Sequence, residues 1–187
     1  MKRLRPIVGC CALFLAVAAH GDGIVADKSE IAFTVKQMGV KFDGRFRKWS
    51  ADVVFRPQAL AQSRAQVDVD LGSIDLASED SEAEARGRQW FDAAKYPVAH
   101  FVSTAIRDAG NGRYEVVGRL TMKGMTHDCV VPIAVRTDAS GQRIAEGTFS
   151  LKRLDYKVGE GEWADPSIVD NEIRVRVRMV LSSAAGA

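Results

Sequence analysis

His127-Asp128-Cys129 places an imidazole, a carboxylate and a thiol side by side, the side chains of a nucleophilic cluster in which a base activates sulfur. The surrounding pattern argues otherwise. Cys129 continues an alternating row with Val131, Ile133 and Val135, so His127 and Cys129 share one strand face and Asp128 points to the other. A thiol in such a row behaves as a small buried hydrophobe. An esterase-like enzyme using Cys129 or His127 would lose its activity in Cys129→Ala; the row predicts that this substitution costs only some stability. His100 falls on the face of Val102, Thr104 and Ile106, which reads as a packed or rim histidine. Metal chemistry lacks its usual spacing: there is no CxxC, HxxxH or cysteine–histidine framework. Glu160, Glu162, Asp165 and Asp170 form an acidic loop beside Trp163, but without the alternation of an EF-hand loop. Gly159-Glu-Gly-Glu offers acid where a phosphate needs amide donors and positive charge. The residues therefore predict no catalytic group, no metal and no cofactor.

What remains is the apolar content and the elements that hold it. Ile173, Val175, Val177, Met179 and Leu181 alternate with Arg174, Arg176 and Arg178, giving a strand with one dry and one wet face. The pattern recurs. Ile31, Phe33 and Val35 open the series, and Val40, Phe42, Gly44 and Phe46 follow. The phase then jumps to Trp49, Ala51, Val53 and Phe55, as a β-bulge within one long strand would produce. Further rows run over Ala65 to Leu71, His100 to Arg107, Tyr114 to Met122, Cys129 to Val135 and Ala145 to Leu151. Ser78 to Trp90, rich in Glu, Ala and Arg, reads as the main helix, ended by Tyr96-Pro97. Val158 to Asn171 reads as irregular. About eight antiparallel strands and one helix make an all-β fold, either a closed barrel or an open sandwich.

Lys2, Arg3 and Arg5 precede an apolar run from Ile7 to Ala19 and then small residues, the layout of a secretory signal peptide over residues 1–21. The run is shorter than the roughly 20 residues a membrane span needs. One domain is expected over 22–187. The chain carries 26 basic and 24 acidic residues, and losing the leader's three cations leaves 23 against 24. A near-neutral protein gives no ground for a nucleic-acid partner. Cys10 and Cys11 fall in the leader, so Cys129 would be the sole mature cysteine and no intramolecular disulfide forms.

Four elements, in order, carry a resemblance. Ile31-Ala-Phe-Thr-Val-Lys-Gln-Met-Gly-Val40 with Gly44-Arg-Phe46 is similar to the opening of the YceI-like family. Trp90-Phe-Asp-Ala-Ala-Lys-Tyr-Pro97 with His100-Phe101 resembles its FFD…YP…F segment. Gly118-Arg-Leu-Thr-Met-Lys-Gly-Met-Thr126 resembles its G-x-L-T-x-x-G-x-T hairpin, and Phe149-Ser-Leu-Lys-Arg-Leu-Asp-Tyr156 its F-x-x-x-R-x-D-(F/Y) element. Where that family often has His before Met-Gly, this chain has Gln37. The resemblance implies an exported, eight-stranded antiparallel lipocalin-like β-barrel with one main helix. It implies a non-catalytic periplasmic carrier for a polyisoprenoid or similar long-chain amphiphile, isoprenoid quinone included. A second reading is a redox or stress accessory that works with a membrane cytochrome b561-like protein. A homodimer is left open. The dry rows and the helix end nominate Phe33, Val35, Met38, Phe42, Phe46, Phe91, Tyr96, Phe101, Leu120, Met122, Phe149, Val177 and Met179 as the cavity lining.

Overall fold

The structure, a computed structural model, describes residues 23–182. The expected signal peptide at residues 1–21, with Cys10 and Cys11, lies outside the described residues. Ten strands are present: β1 (Glu30–Gln37), β2 (Val40–Phe46), β3 (Trp49–Val54), β4 (Arg64–Asp70), β5 (Ile74–Asp75), β6 (Val98–Gly110), β7 (Arg113–Met122), β8 (Met125–Thr137), β9 (Arg143–Lys152) and β10 (Glu172–Leu181). They form one antiparallel sheet in the order β3-β4-β6-β7-β8-β9-β10-β1-β2-β5.

The sheet curls because β2 and β3 sit near its opposite ends yet are separated in the chain by Arg47 and Lys48 alone. The parity jump between Phe46 and Trp49 is therefore a corner between two strands, and the expected bulge is not its cause. Ser73 fixes this corner. The Arg47 N–H donates to its carbonyl at 3.0 Å, and the Lys48 N–H donates to its Oγ at 2.9 Å. Through Leu71–Ser73 the chain leaves β4, which pairs with β3, and enters β5, which pairs with β2. Splitting residues 40–55 and adding β5 turns the expected eight strands into ten.

The single α-helix among the described residues, α1 (Glu79–Arg86), is shorter than expected. Ser78 caps it by accepting the Ser81 N–H at 3.2 Å, and Glu79, Asp80 and Glu82 occupy its first turn, where acid complements the helix dipole. Gly87 stops it. Successive turns then run through residues 87–95, with Trp90 and Asp92 donating to the Gly87 carbonyl. They fold Trp90 and Phe91 back over the barrel end, against the core of Leu71, Ala99, Met122, Tyr156 and Val158.

Real bulges occur in β6, where the register with β7 shifts between Ser103 and Ala105. That shift separates His100 from Ile106: Ile106 is buried, while His100 is exposed and held by Asp68 at 2.8 Å. The arginines of β10 remain on the wet face, where Arg176 meets Glu30 at 3.7 Å and Arg178 meets Glu146. Val180, on that same parity, is nevertheless 1% exposed. The segment entering β1 lies beside it: the Val25 N–H donates to the Val180 carbonyl at 2.8 Å.

Candidate functional site

β5 pairs with β2 only at Arg45 and Phe46. From Val40 to Gly44 the second edge of β2 therefore faces α1 across a gap, and there the barrel opens. The opening leads into a cavity of about 450 Å³. Ile31, Phe33 and Val35 of β1 and Ile173 and Val175 of β10 form one wall; Leu76, Ala77 and Ala85, at and before α1, form the other. Trp90, Phe91, Val158 and Trp163 close the end. Aromatic rings run through the lining in sequence: Phe33 lies 5.6 Å from Phe46, Phe46 lies 6.0 Å from Phe91, and Trp90 lies 5.6 Å from Trp163.

Of the thirteen nominated residues, Phe33, Val35, Phe42, Phe46, Phe91 and Met122 line this cavity. The other seven lie elsewhere. Met38 takes a left-handed backbone (φ 50°) at the tip of the β1–β2 hairpin and is 77% exposed. Tyr96 packs on the β7–β8 turn beside Gly124, with Lys95 over its ring. Phe101 lies against Gly118, where a Cβ would stand 2.6 Å from its ring. Leu120 joins the core around Met122. Val177 borders a separate concavity with Tyr114, Ile133 and Gly147. Met179 is 9% exposed and fully packed, and Phe149 pairs with Val175 without reaching the cavity. Large parts of the dry rows thus fill the barrel itself.

The end wall is organised by a cation the alternation rules do not single out. Arg153 is 1% exposed. Its Nε donates to Asp170 O at 3.0 Å; Nη1 donates to Val158 O and Gly159 O at 2.9 and 3.0 Å; Nη2 donates to Trp163 O and Val169 O at 2.6 and 2.7 Å. All five guanidinium N–H groups are thereby matched to backbone carbonyls, which folds residues 158–170 around a buried charge. Burial pulls its pKa below the usual arginine value. Gly159 (φ 79°) is required here, because a Cβ would stand 2.2 Å from Arg153 Nη1. Lys123, at 7% exposure, ties the same loop to residues 88 and 157: Nζ donates to Arg88 O, Lys157 O and Glu160 Oε2 at 3.0, 2.7 and 3.0 Å.

The acidic loop is consequently structural. Glu160 pairs with Lys123, Asp165 accepts the Ser167 N–H at 2.8 Å, and Asp170 stands 3.9 Å from Lys36. Among the described residues no cluster of three His, Cys, Asp or Glu side chains could hold a metal ion. The His127-Asp128-Cys129 cluster is also dispersed. His127 Nε2 donates to the Asp155 carbonyl at 2.9 Å, and its ring meets Tyr156 edge-on at 4.9 Å. Burial raises the Cys129 thiol pKa, which lowers the thiolate fraction that a nucleophile requires. Burial also pushes the Tyr156 phenol up to about 12, with Cys129 and Asp155 adding to the shift.

Set beside known proteins, residues 23–181 match the YceI-like domain. A UPF0312 protein of Vibrio cholerae is 32% identical over 186 residues, spanning 94% of this chain and 97% of its own length. A UPF0312 protein of Vibrio parahaemolyticus is 33% identical over 174 residues, spanning 88% and 91%. The crystal structure of BcnA from Burkholderia cenocepacia superposes with a TM-score of 0.82 at 38% identity, covering 86% of this chain and all of that one. A polyisoprenoid binding domain from Saccharophagus degradans, implicated in plant cell wall breakdown, gives a TM-score of 0.69 at 17% identity, covering 86% and 97%.

Proposed function

The chain belongs to the YceI-like family, and from that premise we propose that it is a non-catalytic carrier whose cavity holds the hydrocarbon chain of a polyisoprenoid or similar amphiphile. The observation that carries this reading is the cavity itself: about 450 Å³, walled by aromatic and aliphatic side chains and open at one gap beside α1. That volume lies within the range of small-molecule sites. At about 30 Å³ per heavy atom it takes at least about 15 carbons, three five-carbon units. A longer chain leaves through the gap between Phe42 and α1.

Burying about 15 carbons at roughly 0.8 kcal/mol each yields about 12 kcal/mol. An association cost of about 4 kcal/mol leaves about 8 kcal/mol, a roughly micromolar complex without any polar contact. The polyisoprenoid named for the Saccharophagus domain supports this ligand class. The leader-like N-terminus supports export to the periplasm, where such a carrier would take up lipid at a membrane.

The test is extraction. Full-length protein, exported in its host and purified without detergent, is extracted into organic solvent and analysed by mass spectrometry. A long-chain isoprenoid in near-stoichiometric amount is expected. Recovery of no lipid, together with no response of the tryptophan fluorescence to added farnesol, would overturn the proposal.

A further inference from the structure

Among the described residues Arg153 is the only cation lining the cavity, and its five N–H groups are already bonded to carbonyls. The neighbouring cations are spent as well. Lys123 is held by two carbonyls and Glu160, and Arg45 and Arg47 grip Asp75 at 2.7 and 2.6 Å. Lys36 and Lys41 face each other across the β1–β2 ladder, one position out of phase with Val35 and Phe42. Because Val35 and Phe42 line the cavity, the two lysines point to the outside.

The mouth has the opposite character. Beside Asp43 of β2, which accepts a hydrogen bond from Thr34, α1 presents Asp80 and Glu84 to the cavity, one helical turn apart on the same face. Neither makes an ion pair among the described residues. Gln37 on the facing hairpin adds a neutral amide. The positive end of the helix is already answered by Ser78 and by Glu79 and Glu82 of its first turn.

Resting on the reading that the cavity holds a lipid chain, we propose that Asp80 and Glu84 make its mouth a charge filter. Chains that end in a neutral or cationic head group are accepted, and chains that end in phosphate, pyrophosphate or carboxylate are rejected. An anionic head group is left at the mouth, because among the described residues the closed end offers no free donor with positive charge, its unpartnered donors being the neutral indole N–H groups of Trp90 and Trp163. Two unpaired carboxylates beside a phosphate, partly screened by solvent, weaken its binding about tenfold or more.

The test uses the full chain and three probes with the same fifteen carbons: farnesol, farnesylamine and farnesyl phosphate. Each is titrated below its micellar concentration while tryptophan fluorescence is followed, since Trp90 and Trp163 line the cavity. Farnesylamine should bind at least as tightly as farnesol, and farnesyl phosphate about tenfold or more weakly. In the D80N/E84Q double variant the phosphate penalty, taken as the ratio to farnesol binding in the same variant, should fall to about threefold or less. High salt should shrink the penalty in the unaltered protein, a result that does not depend on the variant folding. Phosphate binding as tight as farnesol overturns the filter, as does a penalty that persists in both the double variant and high salt. Failure of all three probes to bind overturns the lipid-carrier reading itself.

Discussion

Replacing Arg153 with methionine removes five buried hydrogen-bond donors while keeping an unbranched side chain of similar reach. The carbonyls of Val158, Gly159, Trp163, Val169 and Asp170 lose the partner that gathers them. Hydrogen bonds from a charged donor contribute about 1.5–3 kcal/mol each, so five contribute about 7 kcal/mol at the lower end. The variant recovers the desolvation of the guanidinium, several kcal/mol. The net loss is about 3–5 kcal/mol, a large share of a typical domain stability of about 5–15 kcal/mol. With a urea slope of about 2 kcal/mol/M, the midpoint should fall by about 1.5–2.5 M. Unfolding is followed by tryptophan fluorescence, which reports on Trp90 and Trp163 at the end wall, and by circular dichroism, which reports on the sheet. Arg153→Lys keeps the charge but has fewer donors, and should fall between the two. A midpoint for Arg153→Met within about 0.3 M of the unaltered protein would refute the claim that this cation organises the wall.

Val35→Trp places an indole in the cavity next to the mouth; farnesol affinity should drop about tenfold or more while the urea midpoint moves little, because the ring occupies space a ligand would fill. Gly147→Ala should show the converse. A Cβ there stands 2.2 Å from the Pro132 carbonyl and 2.6 Å from Ile133 Cδ1, so about 1–3 kcal/mol of stability is lost and the folded fraction still binds farnesol normally. Tyr156 predicts an alkaline transition. Its folded pKa of about 12 lies above the ordinary value of 10.0, so the unfolded chain releases this proton first. The stability it contributes is complete below pH 10 and is lost as pH rises from about 10 to about 12, a change of up to about 2–3 kcal/mol. Urea midpoints measured at pH 9 and pH 11.5 check this, and Tyr156→Phe should flatten the difference.

The alternating rows made the strands legible, and Ile173 to Leu181 runs as a strand from end to end. Patterning fails where a neighbour distant in sequence decides. A parity change looks the same whether a strand bulges or turns a corner, and only the pairing of β3 with β4 and of β2 with β5 distinguishes them. Glu, Ala and Arg favour helix up to Arg86, but Gly87 and the pull of the barrel end on Trp90 and Phe91 stop α1 early. The β6 bulge moves His100 off the face of Ile106, a shift that leaves no mark in residue type.

The cavity was half legible. Residues of β1 and β2 were reachable from their rows, whereas Leu76, Ala85, Val158 and Trp163 come from segments without strand periodicity. Arg153 falls within the Phe149 to Tyr156 motif, where residue alternation gives it no role. Its best sequence signal is the glycine six residues later, Gly159, whose missing side chain makes room for the guanidinium.

The claim on which the rest depends is that the chain of a lipid lies between β1, β10 and α1. A fifteen-carbon prenyl probe with a diazirine at its hydrocarbon end, bound to the full-length protein and photolysed, would mark the walls it touches. Mass spectrometry of the digested adducts should find the label on Phe33, Trp90, Trp163 or Val175, which surround the cavity. Label confined to Tyr114, Ile133 and Val177 around the second concavity, or to the outer arginine row of β10, would contradict it.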